Sequence, residues 1–160
     1  MNPKYRTNAR MVALDALRDI HEKGAYASLA LQNRLRETRL APNDRRLVTS
    51  IVYTTIEKQN QLDYVLDSLM DRPTGDLIQR DILRLSACQV LFHDRVPDSA
   101  AVNEGVQLAR SLGMARLLQM DVKCVAKFAF VCGNLSKRVF VSKHTDFCPC
   151  TFSETGQRPC

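Results

Sequence analysis

A chain of 160 residues with 45% hydrophobic and 25% charged side chains has room for one globular domain and a tail, and is neither disordered nor long enough for two well-sized domains. Its formal charge of +6 is uneven: residues 1–113 hold 16 Lys and Arg against 14 Asp and Glu, and residues 114–160 hold 7 against 3, so overall basicity is poor evidence for nucleic-acid binding. No apolar run approaches the roughly 20 residues that span a bilayer, and the opening MNPKYRTNAR lacks the apolar core of a secretory signal, so a cytoplasmic protein without a membrane partner is expected.

The first periodic segment is ARMVALDALRDIHEKG, where Val12, Ala13, Ala16, Leu17 and Ile20 form one apolar helix face. Asn8 is suited to cap its start, and Gly24 to end it in a left-handed conformation. In SLALQNRLRETRL, Ser28 is the expected N-cap, Leu31, Leu35 and Ala27 point inward, and Arg34, Arg36 and Arg39 occupy the other face. Pro42 and Asn43 then mark a turn and a new helix start. Leu47, Ile51, Leu62, Val65, Leu66 and Leu69 continue at helical spacing, with a break or kink expected in the polar stretch EKQNQ near residues 58–61.

After the punctuation RPTG, the run DLIQRDILRLSACQVLF is apolar on most of its circumference, from Leu77 and Ile78 to Leu91 and Phe92, which predicts a central helix. Pro97, Asp98 and Ser99 open the last clear helix, with Val102, Val106 and Ala109 on one face and Gly113 as its stop. No strand alternation and no glycine-rich strand-to-helix turn occurs before residue 113, so the class is all-α, a compact helical bundle. Beyond Gly113 the helical period is lost. Residues 114–160 read as a basic, irregular, cysteine-containing tail, with the domain closing either at 113 or at about residue 137.

The chemistry-bearing residues are sparse. His21, His93 and His144 are scattered, and the first two read as surface or helix-end histidines, since a lone histidine seldom acts without an orienting partner. Asp15, Asp19 and Glu22 read as a solvated helix face, and no phosphate loop is present. No catalytic residue, cofactor or metal ligand is assigned. Cys88 fits a reduced, buried thiol, whereas Cys124, Cys132, His144, Cys148 and Cys150 in the tail lack the C-x2-C knuckle of a tetrahedral zinc site, which leaves a zinc-binding tail as the weakest reading.

For nucleic acid the candidates are Lys4, Arg6 and Arg10, a basic arm free of acids that leads into the first helix. Arg45 and Arg46 sit at a helix start, where cations oppose the dipole, and pairing of Arg45 with an acid of another helix is the expected remedy. Arg84, set inside the central apolar run, calls for a structural ion pair or a carbonyl contact.

Five stretches share one order along the chain: RMVALDAL, GAY at 24–26, DRRLVTSIVYTTI at 44–56, LDYVLDSL at 62–69, and DRVPDSAAVNEGVQLAR. With these, residues 9–113 resemble the NusB-like family, most closely the N-terminal RNA-binding domain of ribosomal RNA cytosine-C5 methyltransferases of the RsmB (Sun) type. The resemblance implies a helical bundle that contacts RNA, ribosomal in the methyltransferase branch, with Lys4, Arg6 and Arg10 at the positions to carry over. Asn103 and Glu104 match the family motif too, but their place early in a helix fits capping and packing. The family's other branch implies a transcription-antitermination module that docks a protein partner on a helix face.

The departures are equally definite. The S-adenosylmethionine domain of the full methyltransferases has no counterpart here, so the chain as it stands is expected to be non-catalytic. FVCGNLSK, residues 130–137, echoes the family's closing helix but arrives late. A change of reading frame or junction soon after Arg116 is one account of that break; a natural short protein with a displaced closing helix is the other.

Overall fold

A computed structural model of the chain describes residues 8–70 and 75–114. Among these residues there are six α-helices and no strand: α1 (Ala9–Lys23), α2 (Ala27–Glu37), α3 (Pro42–Glu57), α4 (Gln59–Leu69), α5 (Leu77–Phe92) and α6 (Asp98–Ser111). The fold is all-α, as the sequence predicts. The tail cysteines and residues 130–137 lie outside the described residues.

α1 begins where the Asn8 side chain accepts a hydrogen bond from the Arg10 backbone N–H at 2.9 Å, and ends at Gly24, whose φ of 65° is left-handed. Its apolar face is fully buried from Met11 to Leu14 and again at Ala16 and Leu17. α2 departs from expectation at its start. Ser28 lies inside the helix, and the N-cap is Tyr26, which supplies no side-chain bond. The Gly24 turn delivers the chain extended at Tyr26, whose carbonyl accepts from Leu29 and Ala30 at 3.0 and 2.9 Å, so the helix has already begun before Ser28.

α3 starts at Pro42, which presets φ and has no N–H to leave unsatisfied. The kink expected near 58–61 falls at Lys58 (φ −101°, ψ 15°), the shared boundary of α3 and α4. The Lys58 N–H bonds to the Thr54 carbonyl and the Leu62 N–H to the Lys58 carbonyl, both at 2.9 Å, so the chain bends without losing its backbone partners.

α5 is the axis of the bundle. Asp76 caps it through the Ile78 and Gln79 N–H groups, and every residue from Asp81 to Leu91 is buried. Leu77 is the exception to the expected apolar circumference: it is 51% exposed on the first turn. α5 packs against α1, α3, α4 and α6, with its most extensive contact to α6. Gly105 makes that last contact close, because a Cβ there would collide with the Ser86 hydroxyl. α6 ends in a left-handed Gly113 (φ 75°) with the Met114 N–H bonded back to Ala109 at 2.8 Å, the return bond of a glycine-terminated helix.

Candidate nucleic-acid interface

Lys4 and Arg6 lie outside the described residues. Arg10 is described, and it is engaged. Its Nε donates to Gln89 Oε1 at 2.8 Å, and its Nη1 stands 4.0 Å from Glu104 Oε2, which also accepts from Asn8 Nδ2 at 3.1 Å. Gln89 is completely buried and donates in turn to the Leu85 carbonyl. Arg10 therefore ties the start of α1 to α5 and α6. Glu104 has the packing role its place in the motif implied, whereas Asn103 is exposed on α6.

Both arginines of α5 are consumed in a charged seam with the acids of α4 and α5. Arg84 Nη2 and Nε reach Asp63 at 2.7 and 2.8 Å, and its Nη1 reaches Asp81 at 2.9 Å. Arg80 bonds Asp63 at 3.0 Å and Asp67 at 2.5 Å. Partial burial alone would push the Asp63 carboxyl up, but the Arg84 and Arg80 guanidiniums outweigh it and hold it below its ordinary range. Arg84 thus has the ion pair that its position demanded.

His21 sits in the last turn of α1, the helix-end place expected, but it is not a free surface side chain. It has an orienting partner: Nδ1 is 2.8 and 2.9 Å from the two oxygens of Asp81, a carboxylate only 1% exposed. The contact joins α1 to α5 across 60 residues, and Asp81 is already held by Arg84, so the pair is a structural clamp. His93 is the helix-end histidine expected, bonding the Cys88 carbonyl at 3.3 Å and the Ser50 hydroxyl at 3.0 Å. Asp19 is not part of a solvated face. It sits between Arg34 at 2.7 Å and Lys23 at 2.6 Å; the Arg34 bond, reinforced by Lys23, lowers its pKa against a counteracting desolvation. Arg34 consequently turns back onto α1 rather than outward. Asp15 lies deeper, and burial raises its pKa in spite of Arg34 and Arg18 nearby. Burial likewise pushes the Cys88 thiol up to about 11, so it stays protonated and inert.

The corner between α2 and α3 is different. Among the described residues Arg45 meets no acid; its Nη1 donates to the Leu35 carbonyl at 2.8 Å. That carbonyl belongs to the last turn of α2, where backbone acceptors lack helical partners, and Thr38 serves the neighbouring Arg34 carbonyl at 2.9 Å. A cation at the start of α3 thus caps the negative end of α2, which resolves the dipole conflict without the acid expected. Arg36, Arg39 and Arg46 are exposed and make no ion pair among the described residues. Arg36 and Arg45 edge a shallow cleft of about 290 Å³ whose other walls are Ser28, Leu31, Gln32 and Leu35.

Among the described residues no group of three or more His, Cys, Asp or Glu side chains is placed to hold a metal ion, and no helix is long and apolar enough to cross a membrane. What remains is a helical body with an internal salt-bridge seam and an arginine-bearing corner. A sequence model described as the NusB family matches residues 7–119, most of the chain and all six helices. The chain belongs to the NusB family.

Within that family its relatives divide in two. A probable ribosomal RNA small subunit methyltransferase B of Synechocystis sp. is 40% identical over 114 residues, 69% of this chain and 25% of the relative. Its namesake in Bacillus subtilis is 33% identical over 111 residues, 68% of this chain and 24% of the relative. The transcription antitermination protein NusB of Pseudoalteromonas translucida is 30% identical over 115 residues, 71% of this chain and 85% of the relative. The chain thus spans about a quarter of the methyltransferases it matches and most of the antitermination protein. The NusB-like domain is similar to the N-terminal part of the methyltransferases.

Proposed function

We propose that this chain is an RNA-binding helical module, equivalent to the N-terminal domain of a small-subunit ribosomal RNA methyltransferase and without methyl transfer of its own. The observation that carries this reading is the 40% identity to the Synechocystis methyltransferase over 114 residues, 69% of this chain. The partner is ribosomal RNA, met in the cytoplasm. Lys4, Arg6 and Arg10 form the arm that reaches its phosphates, Arg10 doing so with the guanidinium donors that Gln89 leaves over. Residues 114–160 form a separate basic tail, and sequencing the DNA on both sides of the Arg116 codon tests whether the family pattern resumes in another frame.

The direct test is titration with fragments of small-subunit ribosomal RNA at several salt concentrations. Binding should weaken steeply with salt, and Lys4→Ala with Arg6→Ala should flatten that dependence by about 0.7 to 0.9 in log–log slope for each phosphate the arm no longer neutralises. Salt-independent binding, or none, defeats the reading. Arg10→Ala is a poorer probe because it also breaks the tie to Gln89. Incubation with RNA and labelled S-adenosylmethionine should leave the RNA unmethylated.

The 85% coverage of an antitermination protein favours a second reading, a module that docks a protein on a helix face. Stable co-purification with such a partner, together with no affinity for RNA alone, would select it.

A further inference from the structure

We infer that the cleft between α2 and α3 receives one unpaired nucleotide of a bound RNA, with Arg36 and Arg45 on its phosphate and the Leu31–Leu35 floor under its base or sugar. This rests on the RNA-binding reading above and assigns it a second contact region, apart from the N-terminal arm.

Four observations converge on the corner. The first is charge without compensation. Arg10, Arg18, Arg34, Arg80 and Arg84 all stand within 4.0 Å of a carboxylate, whereas Arg36, Arg39, Arg45 and Arg46, gathered within eleven residues of sequence, make no ion pair among the described residues. None of the six residues lining the cleft is acidic. Glu37, the acid next to Arg36, has its carboxylate 3.4 Å from Arg34 instead.

The second is preorganisation. Arg45 is fixed by its bond to the Leu35 carbonyl, which uses one of its five N–H donors and leaves the planar fork able to take a phosphate in two-point fashion. An arginine already held in place loses less side-chain entropy on binding than a free one.

The third is the chemistry of the walls. Leu31 is buried and Leu35 half-buried, giving an apolar floor. Ser28 and Gln32 add a hydroxyl and a carboxamide that both donate and accept, the groups that read base edges. Guanidinium planes also stack on unpaired bases. A site for a bare anion has no need of the floor or of the amide.

The fourth is size and continuity. A cleft of about 290 Å³ lies at the lower end of small-ligand sites, which fits one nucleotide and excludes a duplex. Arg39, in the α2–α3 connection, and Arg46, next to Arg45, extend the positive surface beyond the cleft for the flanking phosphates.

The test compares arginines of equal charge at different places. Single-stranded oligouridylate and a fully paired RNA hairpin stem are titrated into the full chain and into Arg36→Gln, Arg45→Gln and Arg110→Gln, each first shown to be fully folded at the titration temperature. Arg110 is exposed near the end of α6, outside the cleft, and makes no ion pair among the described residues. Arg36→Gln and Arg45→Gln should each weaken oligouridylate binding several-fold and lower its salt slope by about 0.7, the share of one single-strand phosphate, while Arg110→Gln does neither. Gln32→Ala should lower affinity with the slope unchanged. Should Arg45→Gln unfold early, Arg36→Gln and photo-crosslinking of 4-thiouridine RNA to the segment 28–46 still decide the matter.

Equal small effects of Arg36→Gln and Arg110→Gln, with wild-type binding intact, overturn the cleft and leave the RNA reading standing. Crosslinks confined to other segments do the same. Absence of wild-type binding to ribosomal RNA fragments and oligouridylate alike removes the RNA reading itself, and the cleft with it.

Discussion

Two regions of this molecule use the same residue to opposite ends. In the seam between α1, α4 and α5, Arg80 and Arg84 are nearly buried and shared among Asp63, Asp67 and Asp81, with His21 closing the far side. At the α2–α3 corner, Arg36, Arg39, Arg45 and Arg46 face outward without a carboxylate among the described residues. Both regions lie within a segment whose acids and bases nearly balance, so neither total charge nor arginine content separates them. What separates them is where the acids went: the helix packing draws Asp63 and Asp81 inward onto α5 arginines, and leaves four arginines together at the corner with no carboxylate paired to them among the described residues. The seam should therefore govern stability and the corner RNA affinity, and each can be varied without the other.

The largest effect is expected at Asp81. Asp81→Ala leaves Arg84 with one partner fewer in a buried site and deprives His21 of the carboxylate that ties it to α5. Breaking a buried pair from one side costs about 3–5 kcal/mol, and urea unfolding should show it as a lower midpoint at unchanged slope. RNA affinity of the folded fraction should not move. A loss of RNA binding at a temperature where the variant is fully folded would break the division between seam and corner.

Asp63 gives the next effect and adds a pH signature. Asp63→Asn keeps the shape but removes the charge that two guanidiniums share, a loss of roughly 1–3 kcal/mol at neutral pH. Because the folded pKa of Asp63 lies below its ordinary value of 3.8, its contribution is complete above the unfolded pKa and disappears as pH falls through 3.8 toward the lower, folded value. Wild type should therefore lose its advantage over Asp63→Asn on acidification through that window. Taking the difference between the two proteins removes the opposite contribution of Asp15, whose raised pKa favours the folded state on protonation. A difference that stays constant from neutral pH to below about 3 would show that the seam does not hold Asp63 ionised.

The helices are legible in the sequence because helical period and caps are local: Asn8, Gly24 and Gly113 stand where the chain itself must change conformation. Arg84 is legible in kind, since a cation inside an apolar run has to be paired, but its partner Asp63 lies 21 residues away on another helix. The role of His21 escapes a sequence reading for the same reason, its partner being 60 residues distant. One local signal does exist: Asp81 and Arg84 are three apart in a helix that is apolar on most of its circumference, a spacing that puts both charges on the same side and marks a buried polar seam. Arg45 misleads because an opposing dipole is expected to need an acid, whereas the carbonyl end of a neighbouring helix is itself negative. No period within one helix reports which end of another lies beside it.

Its bond to that carbonyl makes Arg45 the position where the two regions are least cleanly divided, since it serves both the fold and the cleft. Arg45→Gln should cost about 0.3–1 kcal/mol, the worth of a cation at an exposed helix C-terminus, together with the several-fold loss of RNA affinity expected of the cleft. Arg45→Lys retains the charge but not the fork, so it should restore the salt slope and only part of the affinity.

Arg36 sharpens the comparison furthest because its stability effect is the smallest. It is exposed and makes no ion pair among the described residues, so Arg36→Gln should alter stability by less than about 0.5 kcal/mol, the usual range for a surface substitution away from special features. Set beside Asp81→Ala, it forms a crossed pair of outcomes: one variant unstable with intact RNA affinity, the other stable with weakened affinity and a reduced salt slope. Thermal unfolding and salt-dependent titration on the same two proteins measure all four quantities. If Arg36→Gln proves as destabilising as an Asp63 variant, Arg36 is held by an interaction within the chain, and the corner is an extension of the seam rather than a surface set apart for RNA.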